Sequence, residues 1–298
     1  MNNIFHSECP LCSSKELSEP ILVKDHSISK ETFDLVTCQS CQFTFTQNPP
    51  SPENVGPYYI SEDYVSHSDS KKGLINSIYH KVRSFMLQKK AGLVKSRSKG
   101  NSILDIGSGT GYFLNTMKNN GFKTLGVEIN DQAREFSKDK FGLDVVSPTS
   151  FFEQTASKEF DVITLWHVLE HLYNLDEYMS QIRASIKDDG TLIIAVPNKD
   201  SFDGQYYEED WAGLDVPRHL WHFTPVSMQV LAKKHGWEIK EHRILPFDSF
   251  YVALLSEKYK KNMFETIKGF LVGGISWLNA IFNAKKASSV IYVLQKAA

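Results

Sequence analysis

The sequence predicts an α/β fold: a doubly wound, mostly parallel seven-stranded sheet preceded by a small N-terminal module. Three observations predict it. From about residue 75 onward, short apolar runs alternate with amphipathic stretches, the pattern of strands joined by crossover helices. A glycine-rich turn, ILDIGSGTG at 103–111, lies between the first apolar run and the first helical stretch after it. All four cysteines fall before residue 42, in two CxxC pairs. With 298 residues, 41% hydrophobic and 23% charged, the chain can bury one full α/β core with a smaller appendage, and disorder is excluded as a general description.

The cysteines come first in the chain. CPLC supplies Cys9 and Cys12, CQSC supplies Cys38 and Cys41, and 25 residues separate the pairs. Two such knuckles bring four thiolates to one point, which completes a closed tetrahedral Zn2+ site with no water ligand and hence a structural role. Disulfides fit poorly with the lack of an export signal, and a redox CxxC should open a helix in a thioredoxin-like unit that is absent here. A zinc-ribbon-like module is therefore expected over 1–47, with metal supplying much of its folding free energy because about 45 residues bury little apolar surface. The run QNPPSPENVGP, 47–57, has the proline and glycine content of a linker.

Charge is uneven although the net value is only -2. Residues 1–70 hold three lysines and ten acids, whereas 71–100 hold nine lysines or arginines and no acid. Within that basic stretch Leu74, Ile75, Ile78, Val82, Phe85, Met86, Leu93 and Val94 recur mainly at three- and four-residue steps, so it reads as an amphipathic helix leading into the sheet. Its basic face is either simply solvated or turned toward an anionic ligand, a lipid head group or RNA. The first residues, MNNIFHSECP, lack a basic start followed by an apolar core, and no uncharged apolar run reaches about 18 residues, so a cytoplasmic, non-spanning protein is expected.

The glycine turn is the chemically informative segment. Gly107, Gly109 and Gly111 permit positive φ and close approach of ligand atoms, Asp105 can accept hydrogen bonds beside the turn, and YFLNTMKNNG reads as a helix whose first amides face the ligand. One strand later, TLGVEIN ends on Glu128, about 20 residues beyond the glycines, where a carboxylate can take both hydroxyls of a ribose. DIGSGTG followed by Glu128 resembles the first motifs of the class I S-adenosylmethionine-dependent methyltransferases; the GxGxxG of dinucleotide dehydrogenases is the competing reading. The resemblance covers about residues 75–298 and implies a main domain at 101–298, with 48–100 supplying linker, aromatic lid and basic helix. It implies S-adenosylmethionine held by Asp105, Gly107, Ser108, Gly109, Gly111, Glu128 and Ile129. It also implies an upstream aromatic segment that covers the cofactor, for which Tyr59, Tyr64 and His67 are candidates, although Tyr58 and Tyr59 could equally be packing residues.

Beyond Glu128, DQAREFSKDKFG reads as a helix ending at Gly142, LDVVS as a short strand, and FDVITLW, 160–166, as a buried strand. HVLEHLYNLDEYMSQIRASIKDDG is expected to be one helix stopped by Gly190, with TLIIAVPN, 191–198, as the next strand. Ligands of such sheets lie at the carboxyl ends of the strands. That rule, with the resemblance, selects Trp166 and His167 for the methionine part of the cofactor and the loop 199–223 for the acceptor. Phe151 or Phe152 could flank the adenine, or pack in the core. WEIKEHRILPF and SSVIYVLQK complete the strands, in the family's order 3214576 with the last antiparallel. Between them lies an insertion at about 248–286 whose uncharged stretch, 269–282, is too short to span a bilayer and is read as helices that cap the acceptor site, form a dimer interface or lie on a membrane surface.

WHVLEHL also contains a formal HxxEH string, as in one class of zinc peptidases, but that chemistry needs a third ligand from another helix. In the resembling family Glu170 and His171 have a structural or positioning role, and His167 lies nearer the reacting methyl. In DVPRHLWHFTP, Thr224 and Pro225 read as N-cap and first residue of a helix through Lys234, placing Arg218, His219 and His222 on the loop before it. His219, His222 and His167 are thus the candidate proton acceptors, and Arg218 could hold an anionic group on the acceptor. The function expected is methyl transfer to the oxygen or carbon of a small-molecule or glycan-type acceptor, in cell-surface polysaccharide or secondary-metabolite synthesis. The N-terminal segment resembles that of some sugar methyltransferases, although their tyrosine-and-histidine motif is not recognisable here. The alternatives are a zinc-module RNA base methyltransferase and a non-catalytic cofactor-binding scaffold.

Overall fold

The computed structural model describes residues 3–59, 74–155, 159–261 and 263–297. The N-terminal module is an antiparallel meander of β1 (Ile21–Lys24), β2 (Thr32–Thr37) and β3 (Thr44–Gln47). Its two cysteine knuckles repeat one geometry. Ser13 and Gln42, each directly after the second cysteine of a pair, both have φ 58°, and their amides close 2.8 Å bonds to the carbonyls of Cys9 and Cys38. The left-handed residue turns the chain back tightly enough for both thiols of each pair to face one point.

The proline-rich segment 47–57 is packed in its first half, to Ser51, and mostly exposed beyond it. Ser51 is buried, and Tyr173 donates a 2.8 Å hydrogen bond to the Pro50 carbonyl. Tyr64 and His67 lie outside the described residues.

The basic stretch forms α1 (Leu74–Arg97), which buries Ala91, Leu93 and Val94 against the sheet. There follow β4 (Ser102–Ile106), α2 (Tyr112–Asn119), β5 (Lys123–Val127), α3 (Asp131–Phe141), β6 (Val145–Val146), α4 (Pro148–Thr155), β7 (Phe160–Trp166), α5 (Leu175–Ser185) and β8 (Ile186–Pro197). The chain continues through α6 (Phe202–Tyr207), β9 (Trp221–His222), α7 (Pro225–Lys234), β10 (Trp237–Ile244), α8 (Asp248–Tyr259), α9 (Glu265–Phe282) and β11 (Ser289–Lys296). The large sheet runs β10-β11-β8-β7-β4-β5-β6. Read from the other edge it has the expected order 3214576, and β11 is antiparallel to both neighbours. Helix α7 starts as expected, with Thr224 accepting from the Ser227 amide and Pro225 in the first turn.

The helix expected to run from His167 to Gly190 is shorter. His167 has φ 57°, which ends β7 in a left-handed bend; one 3-10 turn, Leu169–His171, follows, and α5 begins only at Leu175. At the other end α5 stops at Ser185, and the residues that seemed to finish the helix enter β8. There a register irregularity lies opposite Phe160 and Val162.

Two further features position the site. Strand β9, from the main domain, adds to the module sheet in the order β1-β2-β3-β9. Helices α8 and α9 pack against each other so closely that a Cβ on Gly269 or Gly273 would come within 2.8 Å of Leu254 or Phe250. Helix α9 is tied to the core through Asp203, buried, which accepts from Ser276 Oγ at 2.5 Å, Ser288 Oγ at 2.7 Å and Trp211 Nε1 at 2.8 Å. Its opposite face, including Ile267, Phe270, Leu271, Leu278 and Phe282, is exposed. Among the described residues no helix is long and apolar enough to cross a membrane.

Candidate active site

The carboxyl ends of β4, β5, β7 and β8 meet on one edge. The turn after β4 takes positive φ at Gly107 (73°), Gly109 (54°) and Gly111 (76°). Gly107 and Gly111 are required by packing as well: a Cβ would lie 2.2 Å from Val168 Cγ2 at the first and 2.7 Å from Leu143 Cδ1 at the second. At Gly109 a Cβ would meet nothing within 4 Å, so the turn is open to space there and a side chain would occupy it.

Glu128, buried at the end of β5, accepts from the Gly109 amide at 2.7 Å through Oε2 and from the Asn130 amide at 2.9 Å through Oε1. A carboxylate has about four lone-pair directions. Two remain for the paired hydroxyls of a ribose. Beside it Ile129 is 79% exposed, an apolar surface suited to one face of a purine, and Ser108 Oγ is buried with no hydrogen-bond partner. The open glycine, the half-used carboxylate and the orphaned hydroxyl fit a nucleoside ligand.

Asp105 points back into the sheet rather than toward the turn's opening. It accepts from Thr164 Oγ1 at 2.6 Å, and burial pushes its carboxyl up to about 7, while Thr164 and the charge of Lys90 pull the other way. Phe151 is fully buried and stacked on Tyr178 with centroids 5.6 Å apart, which makes it a packing residue and leaves it no face for adenine; Phe152 is only partly buried beside it.

At the end of β7, Trp166 Nε1 is buried without a partner, and Lys90 Nζ stands 4.4 Å from the ring centroid. Sequence reasoning missed Lys90. In sequence it counts with the basic face, yet it shares the helical stripe of Met86, Leu93 and Val94, and a lysine within an apolar stripe is the signal that marks it. Burial pushes its ammonium down to about 8 against the pull of Asp105 and Asp248. Asp248 was missed too, because only the tertiary fold brings the start of α8 to the charges of His167 and Lys90; burial raises its carboxyl. Burial works against the charged form of His167, but Glu170 Oε1 at 3.4 Å, together with Asp248, raises its pKa overall.

The histidine loop is lashed to the turn after β7. Leu220 N donates to Glu170 O at 2.8 Å, Trp221 Nε1 to Leu172 O at 2.6 Å, and His171 Nδ1 to Arg218 O at 2.9 Å. His219 and His171 rings meet edge to face at 4.6 Å. Tyr59, the described lid candidate, lies beside His171, its hydroxyl 3.2 Å from Nδ1. His222 faces the N-terminal module instead. Thr46 Oγ1 gives its proton to the His219 carbonyl at 2.7 Å, so His222 Nε2, 3.0 Å away, must donate to it, and burial keeps this imidazole neutral. Arg218 is likewise committed: its guanidinium, buried, holds Asp25 at 2.9 Å, Asp215 at 2.6 Å and the Tyr58 carbonyl at 3.0 Å. It has no freedom to bind an acceptor anion.

In the module, Cys9 and Cys41 Sγ are 3.6 Å apart, as are Cys12 and Cys38, and all four sulfurs lie within 4.8 Å of one another. A tetrahedron with Zn–S bonds of about 2.3 Å has S–S edges of about 3.7 Å. The donor set fits a closed tetrathiolate site.

Comparison with known proteins agrees with this edge. A protein of Pelagibacter ubique described as ubiquinone biosynthesis O-methyltransferase is 26% identical over 158 residues, 48% of this chain and 64% of that one. An uncharacterised protein of Methanocaldococcus jannaschii is 31% identical over 105 residues, 35% of this chain and 40% of that one. The chain thus spans 40% and 64% of the lengths of these two relatives. Among solved structures, magnesium protoporphyrin IX methyltransferase from Synechocystis, with bound S-adenosylhomocysteine, superposes with a TM-score of 0.50 at 10% identity, covering 78% of this chain and 91% of that one, a likeness of fold. The profile of the family described as Methyltransferase domain matches residues 78–242. The match takes in the glycine turn, Glu128 and the β7 end, and the chain belongs to this family of S-adenosylmethionine-dependent methyltransferases.

Proposed function

We propose that the chain methylates an oxygen or carbon of a small-molecule or glycan-type acceptor, with S-adenosylmethionine seated over the β4 turn and a structural zinc ion in the four-cysteine site. The observation that carries the reading is Glu128: a buried carboxylate at the end of β5, braced by two amides with two lone-pair directions to spare, beside a glycine that opens to space. When bound, the cofactor supplies a methyl group on a positively charged sulfur, which departs as a neutral thioether. The chain's part is to clasp the ribose with Glu128, to set the acceptor in line at the β7 end, and to take the acceptor's proton as the new bond forms. His167 stands at that strand end, and its imidazole, in the neutral form, can receive the proton, while His219 lies on the loop facing it. The Pelagibacter relative, described as a ubiquinone biosynthesis O-methyltransferase, supports a small-molecule hydroxyl as the acceptor class.

Glu128→Gln should keep the amide contacts in part but weaken both ribose bonds, lowering cofactor affinity about 10- to 100-fold, since hydrogen bonds to a charged group contribute about 1.5–3 kcal/mol. Calorimetric titration with S-adenosylhomocysteine measures this. Unchanged affinity in that variant would overturn the site, and incubation with methyl-labelled cofactor and fractionated extract identifies the acceptor class.

The outer face of α9 we read as a contact with an anionic membrane surface. Phe270, Leu271, Leu278 and Phe282 are exposed along it, with Lys261 and Lys268 near its start and Lys285 and Lys286 beyond its end. This is the composition of a helix lying in a lipid interface. A two-fold contact between copies would set lysine against lysine. Co-sedimentation should show binding to phosphatidylglycerol vesicles, not to phosphatidylcholine, reduced about tenfold or more by Phe270→Glu. Binding to neither vesicle, or a dimer dissolved by that substitution, would overturn it.

A further inference from the structure

A carboxylate and two imidazoles meet on the acceptor side of the β7 end. Glu170, His171 and His219 each offer a ligand atom, and these atoms lie within 4.8 Å of one another. The tautomer of each histidine is forced. His171 Nδ1 lies 2.9 Å from the Arg218 carbonyl and His219 Nδ1 lies 2.9 Å from the Gly213 carbonyl; a carbonyl only accepts, so each Nδ1 carries the proton and each Nε2 a bare lone pair. Glu170 is fully buried, and neither carboxylate oxygen has a hydrogen-bond partner; Oε1 lies 3.4 Å from His167 Nδ1. A buried, ionised carboxylate without hydrogen bonds is costly unless cations meet it, and the His167 ring, placed against Oε1, leaves Oε2 unmet.

We propose that Glu170, His171 and His219 hold a divalent first-row transition-metal cation, a site separate from the four-cysteine cluster and made of nitrogen and oxygen donors. Each feature suits that use. A ligating histidine commonly donates its other ring N–H to a carbonyl, which fixes the ring and raises the basicity of the lone pair. Both rings do so here. Metal ligands must also be deprotonated, and each Nε2 here presents a bare lone pair. The positive charge of Arg218 is already met by Asp25 and Asp215, so it does not oppose a cation. Bonds of about 2.1 Å need donor separations of about 3.4 Å, so binding shortens the distances between the three ligand atoms, now up to 4.8 Å, by up to about 1.4 Å. Three protein ligands leave a position open. It would take an acceptor oxygen next to His167, making hydroxyl, enol or catechol-type acceptors the chemistry this site serves.

The test is metal uptake, which is independent of methyl transfer. Protein whose cysteine site is loaded with zinc is titrated with Co2+ and followed by absorption, elemental analysis and proton NMR. The expected result is one further equivalent per chain, without the thiolate charge-transfer bands of cobalt bound by cysteine. Two exchangeable ring N–H signals should be shifted by the paramagnetic ion, one from each carbonyl-bonded Nδ1–H. His219→Gln and Glu170→Gln should each weaken this uptake by more than about 100-fold, since losing only an outer-shell partner already costs 10- to 100-fold, and each should retain its cysteine-bound zinc. No uptake beyond the cysteine equivalent, fewer than two shifted ring N–H signals in the unsubstituted protein, or undiminished affinity in both variants would overturn the proposal.

Discussion

At the scale of single residues, the three glycines of the turn look alike in sequence and do different things. Gly107→Ala would put a methyl group 2.2 Å from Val168 at φ 73°, so overpacking and left-handed strain should together remove about 3 kcal/mol of stability in urea denaturation. Gly109→Ala has open space and only the backbone strain, about 1 kcal/mol, and should instead lower cofactor affinity by at least about tenfold because the methyl occupies the ligand's place. Equal loss of stability in the two variants would contradict this division. The motif was legible because chain order alone places glycines and acid on one edge. Which glycine serves packing and which serves the ligand was not, since that depends on Val168 and Leu143 arriving from other segments.

At the scale of elements, the decisive contact joins the module to the histidine loop through Asp25 and Arg218. Burial raises the Asp25 carboxyl, but the Arg218 guanidinium and the Ser29 and Ile28 amides outweigh it and hold the group well below the usual carboxylate range. A depressed folded pKa makes its contribution complete above the unfolded value of about 3.9 and progressively lost as pH falls below it. Asp25→Asn should therefore cost about 3 kcal/mol at neutral pH, near the low end for breaking a buried pair because Asp215 remains on Arg218, and should flatten the acid limb of the stability profile. Thermal melts between pH 3 and 7 read both effects. Nothing in Asp25 or Arg218 taken alone announced the pair, which spans 193 positions. Arg218 in a histidine-rich loop therefore read as a ligand-binding residue.

At the scale of the whole molecule, the module is a brace for half of the site. Strand β3 pairs with β9, and Thr46 holds the His219 carbonyl, whereas the glycine turn and Glu128 rest on β4 and β5. Removing the proposed zinc, by chelation or Cys38→Ser, should unfold the module and displace His219. Cofactor affinity should stay within about twofold, because the two regions share few contacts, while turnover falls about 100-fold, as expected when a reacting group is misplaced by about an ångström. Calorimetry and labelled-methyl assays separate the two. Equal loss of binding and turnover would mean that the module supports the entire fold.

The amino-acid order by itself determined the doubly wound sheet, the clustered cysteines, the place of Glu128 at the end of β5 and the start of α7, because each depends on periodicity, caps or spacing within a few dozen residues. Only the tertiary structure decided that His222 and Arg218 are held in the module contact, that Lys90 and Asp248 reach the β7 end, and that Glu170, His171 and His219 converge. Those outcomes turn on the left-handed bend at His167 and on β9 crossing to another sheet. Both follow from long-range packing and hydrogen bonds that have no local periodic signal.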